Sequence, residues 1–138
     1  GADHGPGALS LMAERREQER SGEELARRIA AIADDKKAAD LVALDVRPLV
    51  GYTDFLVICT ARNERQAKAI HDDVYHQLKR EGRLPARVEG EREAQWVLMD
   101  YLDCVLHVFT PDLRERYRLE QLWGEAERLD VAGARGAA

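Results

Sequence analysis

The chain predicts one α/β (α+β) domain over residues 21–130, a single mixed β-sheet with helices packed on it. Three observations lead there. The run Phe55–Thr60, FLVICT, is apolar on both faces and leads into a capped amphipathic helix, the pattern of a covered central strand. The stretch Trp96–Phe109 reads as two strands, WVLM and CVLHVF, joined across Asp100-Tyr101-Leu102-Asp103 as an antiparallel hairpin. Helical stripes starting at Ser21 and Asn63 supply apolar faces to cover the sheet.

Taken in order, residues 1–20 contain a Gly/Ala/Pro-rich start and a charged run, ERREQER, with little apolar periodicity after Met12, so they are expected to be a flexible or only loosely helical extension. Ser21-x-x-Glu24 reads as a capping box ahead of Leu25, Ile29 and Ile32 on one face. Leu41–Val46 is strand-like, and Pro48 and Gly51 punctuate the connection that follows. After FLVICT, Asn63 offers an N-cap and Gln66 a capping partner. Ala67, Ile70, Val74 and Leu78 then form a buried stripe that Gly82 ends. A short strand is expected at Leu84–Val88 before the charged turn EGERE. The last helix starts near Pro111, with Leu119, Leu122, Ala126 and Leu129 in line and a break near Trp123-Gly124, where glycine costs roughly 1 kcal/mol relative to alanine. Residues 131–138 lack periodicity and are expected to fray.

With 138 residues, 45% hydrophobic and 34% charged, the chain has the make-up of one folded domain. A formal charge of −5 gives no general attraction to nucleic acid. Arg114, Arg116 and Arg118 are interleaved with Glu115 and Glu120, which suits a solvated or protein-binding face better than a nucleic-acid groove. Cys59 and Cys104 sit inside apolar runs, as buried reduced thiols do. No stretch of about 18 apolar residues occurs, and the start has no basic leader with an apolar core, so the cytosol is the expected compartment.

Phosphate-loop, GxGxxG, HExxH and CxxC patterns are absent, which removes the corresponding nucleotide and metal chemistries. No cofactor or metal is expected. Asp100 and Asp103 bracket the hairpin turn, where hydrogen bonding within the turn explains a carboxylate pair better than acid–base work does. Regular alternation places His107 with Val105 and Phe109, where an orienting hydrogen bond is the leading role. It also puts Asp103 on that face. No serine or cysteine completes a triad. Trp96 reads as core or as a contact anchor, and Tyr101 as an aromatic exposed near the hairpin tip.

These motifs together resemble the ribosomal silencing factor (Iojap-related) family. The resemblance runs from about Leu25 to Leu129 through ALDV (Ala43–Val46), TDFLVICT (Thr53–Thr60), RQAKAI (Arg65–Ile70), Glu89-Gly90, WVLMDYLDCVLHVF and YRLEQLW (Tyr117–Trp123). It implies a fold related in shape to nucleotidyltransferases but without the catalytic motif, and a non-enzymatic role. That role is binding the large ribosomal subunit, through its bridge-forming fourteenth protein near the sarcin–ricin loop, with ribosomal RNA nearby. Small-subunit joining is then blocked sterically and translation falls under nutrient limitation, with a homodimer forming off the ribosome. Carried onto this chain, the resemblance makes Trp96, Leu98, Tyr101, Leu102, Asp103 and His107 the ribosome or dimer interface candidates. Trp96 and Leu98 would anchor, Tyr101 and Leu102 would read shape, and Asp103 and His107 would orient. The chain departs from the family pattern at Leu102, where glycine is usual. It departs again at Ala61-Arg62-Asn63-Glu64, where the turn is often Gly/Ser-rich. Leucine adopts positive φ less cheaply than glycine, so the turn either takes another geometry or presents Leu102 as apolar surface.

Overall fold

The structure, a computed structural model, describes residues 4–49 and 51–131. Its elements are α1 (His4–Asp35), β1 (Ala39–Asp45), β2 (Phe55–Thr60), α2 (Glu64–Arg80), β3 (Arg87–Glu89), β4 (Trp96–Asp100), β5 (Cys104–Phe109), α3 (Pro111–Tyr117), α4 (Leu119–Leu122) and β6 (Glu127–Arg128). The strands form one sheet in the order β3-β4-β5-β2-β1-β6. β2 and β5 pair in parallel, from Phe55 opposite Cys104 to Thr60 opposite Phe109, while the other neighbours are antiparallel. The sheet is therefore mixed, as the helix-fed β2 and the β4–β5 hairpin together require.

β2 and β5 are buried along their whole length because the sheet has a core on each face. On the first face, Phe55, Val57, Cys59, Val97, Met99, Leu106 and Val108 pack against Leu25, Ile29 and Ile32 of α1 and Ile70, Val74 and Leu78 of α2. On the second, Leu44, Val46, Leu56, Ile58, Val105 and Phe109 form a smaller core, edged by the half-buried Trp96, Leu98, Leu113, Leu119 and Trp123. Cys59 and Cys104 are free, buried thiols, and burial raises the pKa of both.

The α2 start follows the expected chemistry. The Asn63 side chain accepts from the Gln66 amide at 2.9 Å, and the Gln66 side chain accepts from the Arg62 amide at 2.7 Å. Gln66 also donates to the carbonyls of Lys36 and Lys37, tying this cap to the α1–β1 connection. Gly82, at φ 84°, follows the last turn, where the Arg83 amide reaches back to the Leu78 carbonyl. What holds α2 in place is its apolar stripe. Each of Ile70, Val74 and Leu78 contributes roughly 2 kcal/mol by burial, whereas the Arg28–Glu81 pair that bridges α1 and the end of α2 at 2.9 Å is exposed and screened by solvent.

Four expectations change. α1 starts at His4 and passes through Ser21 without a cap there, so the part of the 1–20 extension that is described is helical. ERREQER consists of good helix formers, and Pro6 lies in the first turn, where its missing N–H is tolerated. Residues 7–17 are exposed, which is why periodicity gave no sign of them. β1 begins at Ala39 with an irregular register before Val42, and Asp40 takes φ 47° there. β3 lies at Arg87–Glu89 rather than Leu84–Val88, leaving Leu84 exposed. At the C-terminal end, Arg118 takes φ 43° and separates α3 from α4. The backbone then turns after Leu122, and Glu127–Arg128 pairs with Asp45 and Leu44 at the sheet edge. Leu122 is consequently exposed instead of lying on a continuous helical stripe. The expected tail from residue 132 lies outside the described residues.

Candidate functional site

The hairpin register sets the site. Trp96 lies opposite Phe109, Leu98 opposite His107 and Asp100 opposite Val105, all on the second face. Because β4 has only the short β3 beyond it, this flank is less covered than the β2–β5 centre. Trp96, Leu98 and Asp100 are half-buried, whereas Val97 and Met99 on the opposite face are fully buried.

Trp96 is held on several sides. Its Nε1–H donates to His107 Nδ1 at 3.0 Å. Its ring centroid lies 5.0 Å from Phe109 and 4.7 Å from Tyr117, at tilted angles suited to aromatic contact. His107 stacks over Phe109 and is only 7% exposed. Burial pushes the imidazole down to about 4, against the smaller upward pull of Asp100. Indole nitrogen can only donate, so His107 Nδ1 must be the acceptor and the ring must be neutral, with its proton on Nε2.

The turn after β4 is built by Asp100 and by a positive φ. The Leu102 amide donates to Asp100 Oδ1 at 2.8 Å, the Asp103 amide donates to the Tyr101 carbonyl at 2.9 Å, and Leu102 takes φ 72°. An i to i+2 bond about a residue of this φ is the rare, strained form of γ-turn. Leu102 thus keeps the conformation that favours glycine and, at 62% exposed, also presents an apolar side chain to solvent. Leu102→Gly is expected to leave stability unchanged or raise it by up to about 1 kcal/mol in urea unfolding, since strain is relieved and little packing is lost. A loss above about 1 kcal/mol would instead assign the side chain a packing role.

The six candidates divide. Trp96, Leu98 and His107 come together on the second face, with Leu102 at the tip. Tyr101 is buried in the first core, contrary to the exposed role expected of it, and among the described residues its hydroxyl has no hydrogen-bond partner. Burial, then Tyr75, push that phenol up to about 12. Asp103 also leaves the Val105–His107 face. Its Cβ is 3.4 Å from where a Cβ on Gly22 would stand, and its carboxylate lies 3.9 Å from Arg83, whose guanidinium also donates to Ser21 Oγ. The positive φ at Leu102 turns the chain between Tyr101 and Asp103, so strand alternation does not extend through them.

Sequence reasoning missed two aromatics. Tyr117, 45% exposed, forms the outer wall of Trp96, and Tyr52 is 62% exposed. The Tyr52 hydroxyl is pushed up by partial burial and then by the Asp100 carboxylate. Tyr117 opens the YRLEQLW motif, which was a signal for it. Tyr52 gave none beyond an aromatic beside a turn glycine. Among the described residues, no cluster of three or more His, Cys, Asp or Glu side chains could hold a metal ion, and no helix is long and apolar enough to cross a membrane.

Comparison with known proteins gives a consistent result. The family profile "Ribosomal silencing factor during starvation" matches residues 18–138. The ribosomal silencing factor RsfS of Bacillus subtilis is 40% identical over 102 residues, covering 74% of this chain and 86% of that protein. The mouse protein named "Mitochondrial assembly of ribosomal large subunit protein 1" is 31% identical over 98 residues, covering 69% of this chain and 43% of its own length. A crystal structure of a Chromobacterium violaceum protein superposes with a TM-score of 0.72 at 30% identity, covering 84% of this chain and 98% of that one.

Proposed function

This chain belongs to the ribosomal silencing factor family, and from that premise we propose that it binds the large ribosomal subunit and sterically blocks joining of the small subunit. Members of the family are regulators of translation that catalyse no reaction. The observation that carries the finer reading is the open flank of the second face, where Trp96 and Leu98 are half-buried beside the exposed Tyr117. A few aromatic and aliphatic anchors bordered by polar groups make the usual centre of a protein–protein interface. We assign this flank, with Leu102 at its tip, to the bridge-forming fourteenth protein of the large subunit near the sarcin–ricin loop, with ribosomal RNA beside it. The name of the mouse relative points to the same subunit. In this proposal the protein acts in the cytosol, the same flank is shared with a homodimer off the ribosome, and the likeness in shape to nucleotidyltransferases carries no transferase chemistry.

The test is a joining assay with purified protein and separated subunits, with large-subunit binding measured in parallel. Dose-dependent loss of assembled ribosomes together with large-subunit binding is the expected result; absence of either overturns the proposal. Trp96→Ala should weaken binding at least tenfold, about 1.4 kcal/mol or more. It also removes packing against Phe109 and Tyr117, so Leu98→Glu is the cleaner partner variant. It places a charge on the open flank while leaving the indole cluster in place. Wild-type affinity in a folded Leu98→Glu protein would remove the flank from the interface.

A further inference from the structure

The aromatic cluster encloses one polar pair, Trp96 Nε1–H and His107 Nδ1. Trp96 is a half-buried anchor whose inner edge carries its only polar atom, and that atom meets His107 Nδ1 at 3.0 Å. The other ring contacts of the indole are aromatic, with Phe109 at 5.0 Å and Tyr117, its outer wall, at 4.7 Å between ring centroids. His107 itself is buried and stacked on Phe109, so it has little freedom to follow the indole. Without an acceptor at this point, the orientation seen here would bury an unsatisfied N–H, and the indole would gain by rotating to bring that N–H to solvent. Rotation would exchange the ring edge now facing outward for another, and an anchor contributes to docking only when its shape is presented in advance.

We propose that His107 is a positioning residue whose Nδ1 acceptor fixes the Trp96 indole in the orientation that a docking protein surface reads. The inference rests on the preceding assignment of this flank to a protein partner, but its structural half can be tested without that partner. Imidazole suits the position because it offers one acceptor on a flat ring that packs against Phe109. Asparagine places Oδ1 close to where Nδ1 lies, and leucine fills similar space with no acceptor.

The experiment uses the full chain carrying Trp123→Phe, so that a single indole N–H is observed by NMR, and measures large-subunit affinity on the same variants. His107→Leu is expected to shift the indole N–H resonance, speed its exchange with water and weaken large-subunit binding at least fivefold, with the cooperative unfolding transition retained. His107→Asn should restore both the resonance and most of the affinity. A merely structural role for His107 would let the apolar Leu variant bind as the parent does, and that result overturns the proposal, as does an indole resonance unmoved by the substitution. If His107→Leu fails to fold, loss of binding and of the protected indole resonance in folded His107→Asn overturns it. If the parent itself does not bind large subunits, the functional reading fails separately, and the indole resonance still decides whether His107 positions Trp96.

Discussion

Gly90→Ala will destabilise the protein by at least about 3 kcal/mol, enough to remove much of the stability of a small domain. Gly90 sits at φ 78° in the turn between β3 and β4, where the Ala94 amide donates to the Gly90 carbonyl at 2.8 Å. A Cβ at this position would stand 2.0 Å from the Trp96 carbonyl oxygen and 3.1 Å from its carbonyl carbon. Both atoms are backbone at the first residue of β4, so no side-chain rotation relieves the clash, and the strand must move. Positive φ alone costs an alanine about 1–2 kcal/mol. Gly82→Ala isolates that smaller term, because Gly82 has φ 84° but none of the described residues lies within 4 Å of its would-be Cβ. Urea unfolding of the two variants should therefore differ by about 2 kcal/mol or more, with Gly90→Ala the weaker. Equal losses would show that the close approach is not maintained in solution. Since displacement of β4 begins at Trp96, the Gly90 variant should also lose the indole environment, linking a turn glycine to the contact surface.

How much of this was legible in the sequence depends on the range over which each feature is decided. β2, β4, β5 and α2 were readable because apolar period, strand length and capping chemistry are local, and Asn63, Gln66 and Gly82 each act within a few residues. Residues 7–17 of α1 were not, since an exposed helical stretch leaves no periodic mark. β6 is a two-residue pairing chosen by the β1 edge, and the break at Arg118 depends on a positive φ for which arginine gives no cue. At the site, alternation correctly joined Trp96 with Leu98, and His107 with Phe109. It failed for Tyr101 and Asp103, which lie where the ladder stops and Leu102 reverses the chain. Leu102 carried the most information: the family's usual glycine marked a position needing positive φ, and the structure keeps that φ with leucine in place. Tyr117 reaches Trp96 only through the packing of α3 on the sheet, a contact that spacing along the chain does not encode.

Acidification provides the second large effect. His107 is held neutral in the folded state, its pKa pushed down to about 4 from an ordinary 6.5 chiefly by burial. Below pH 6.5 the unfolded chain takes up a proton that the folded chain does not, so stability falls as pH drops and levels off only below the folded value. The interval corresponds to about 3 kcal/mol in total, of which about 2 kcal/mol is lost between pH 6.5 and 4.5. Two other shifted groups act lower. The Asp45 carboxyl is held below its ordinary 3.8 chiefly by hydrogen bonding to Arg47, and the Glu81 carboxyl below 4.5 by Arg28, so what they contribute is lost at more acid pH. Of the charged groups near His107, Asp100 on β4 favours the imidazolium and is itself within 4.0 Å of Arg87 on β3, which tempers that pull. The parallel neighbour Ile58 on β2 carries no charge, and Tyr117 of α3 packs on Trp96. Urea midpoints measured from pH 7 to 4.5 should therefore decline steadily in the parent and flatten in His107→Asn, which keeps an acceptor for Trp96 without a titrating ring. A slope shared by both proteins would move the acid sensitivity elsewhere. A slope confined to the parent would show that the imidazole orienting the indole also makes the fold depend on staying near neutrality, because a protonated Nδ1 can no longer accept from Trp96.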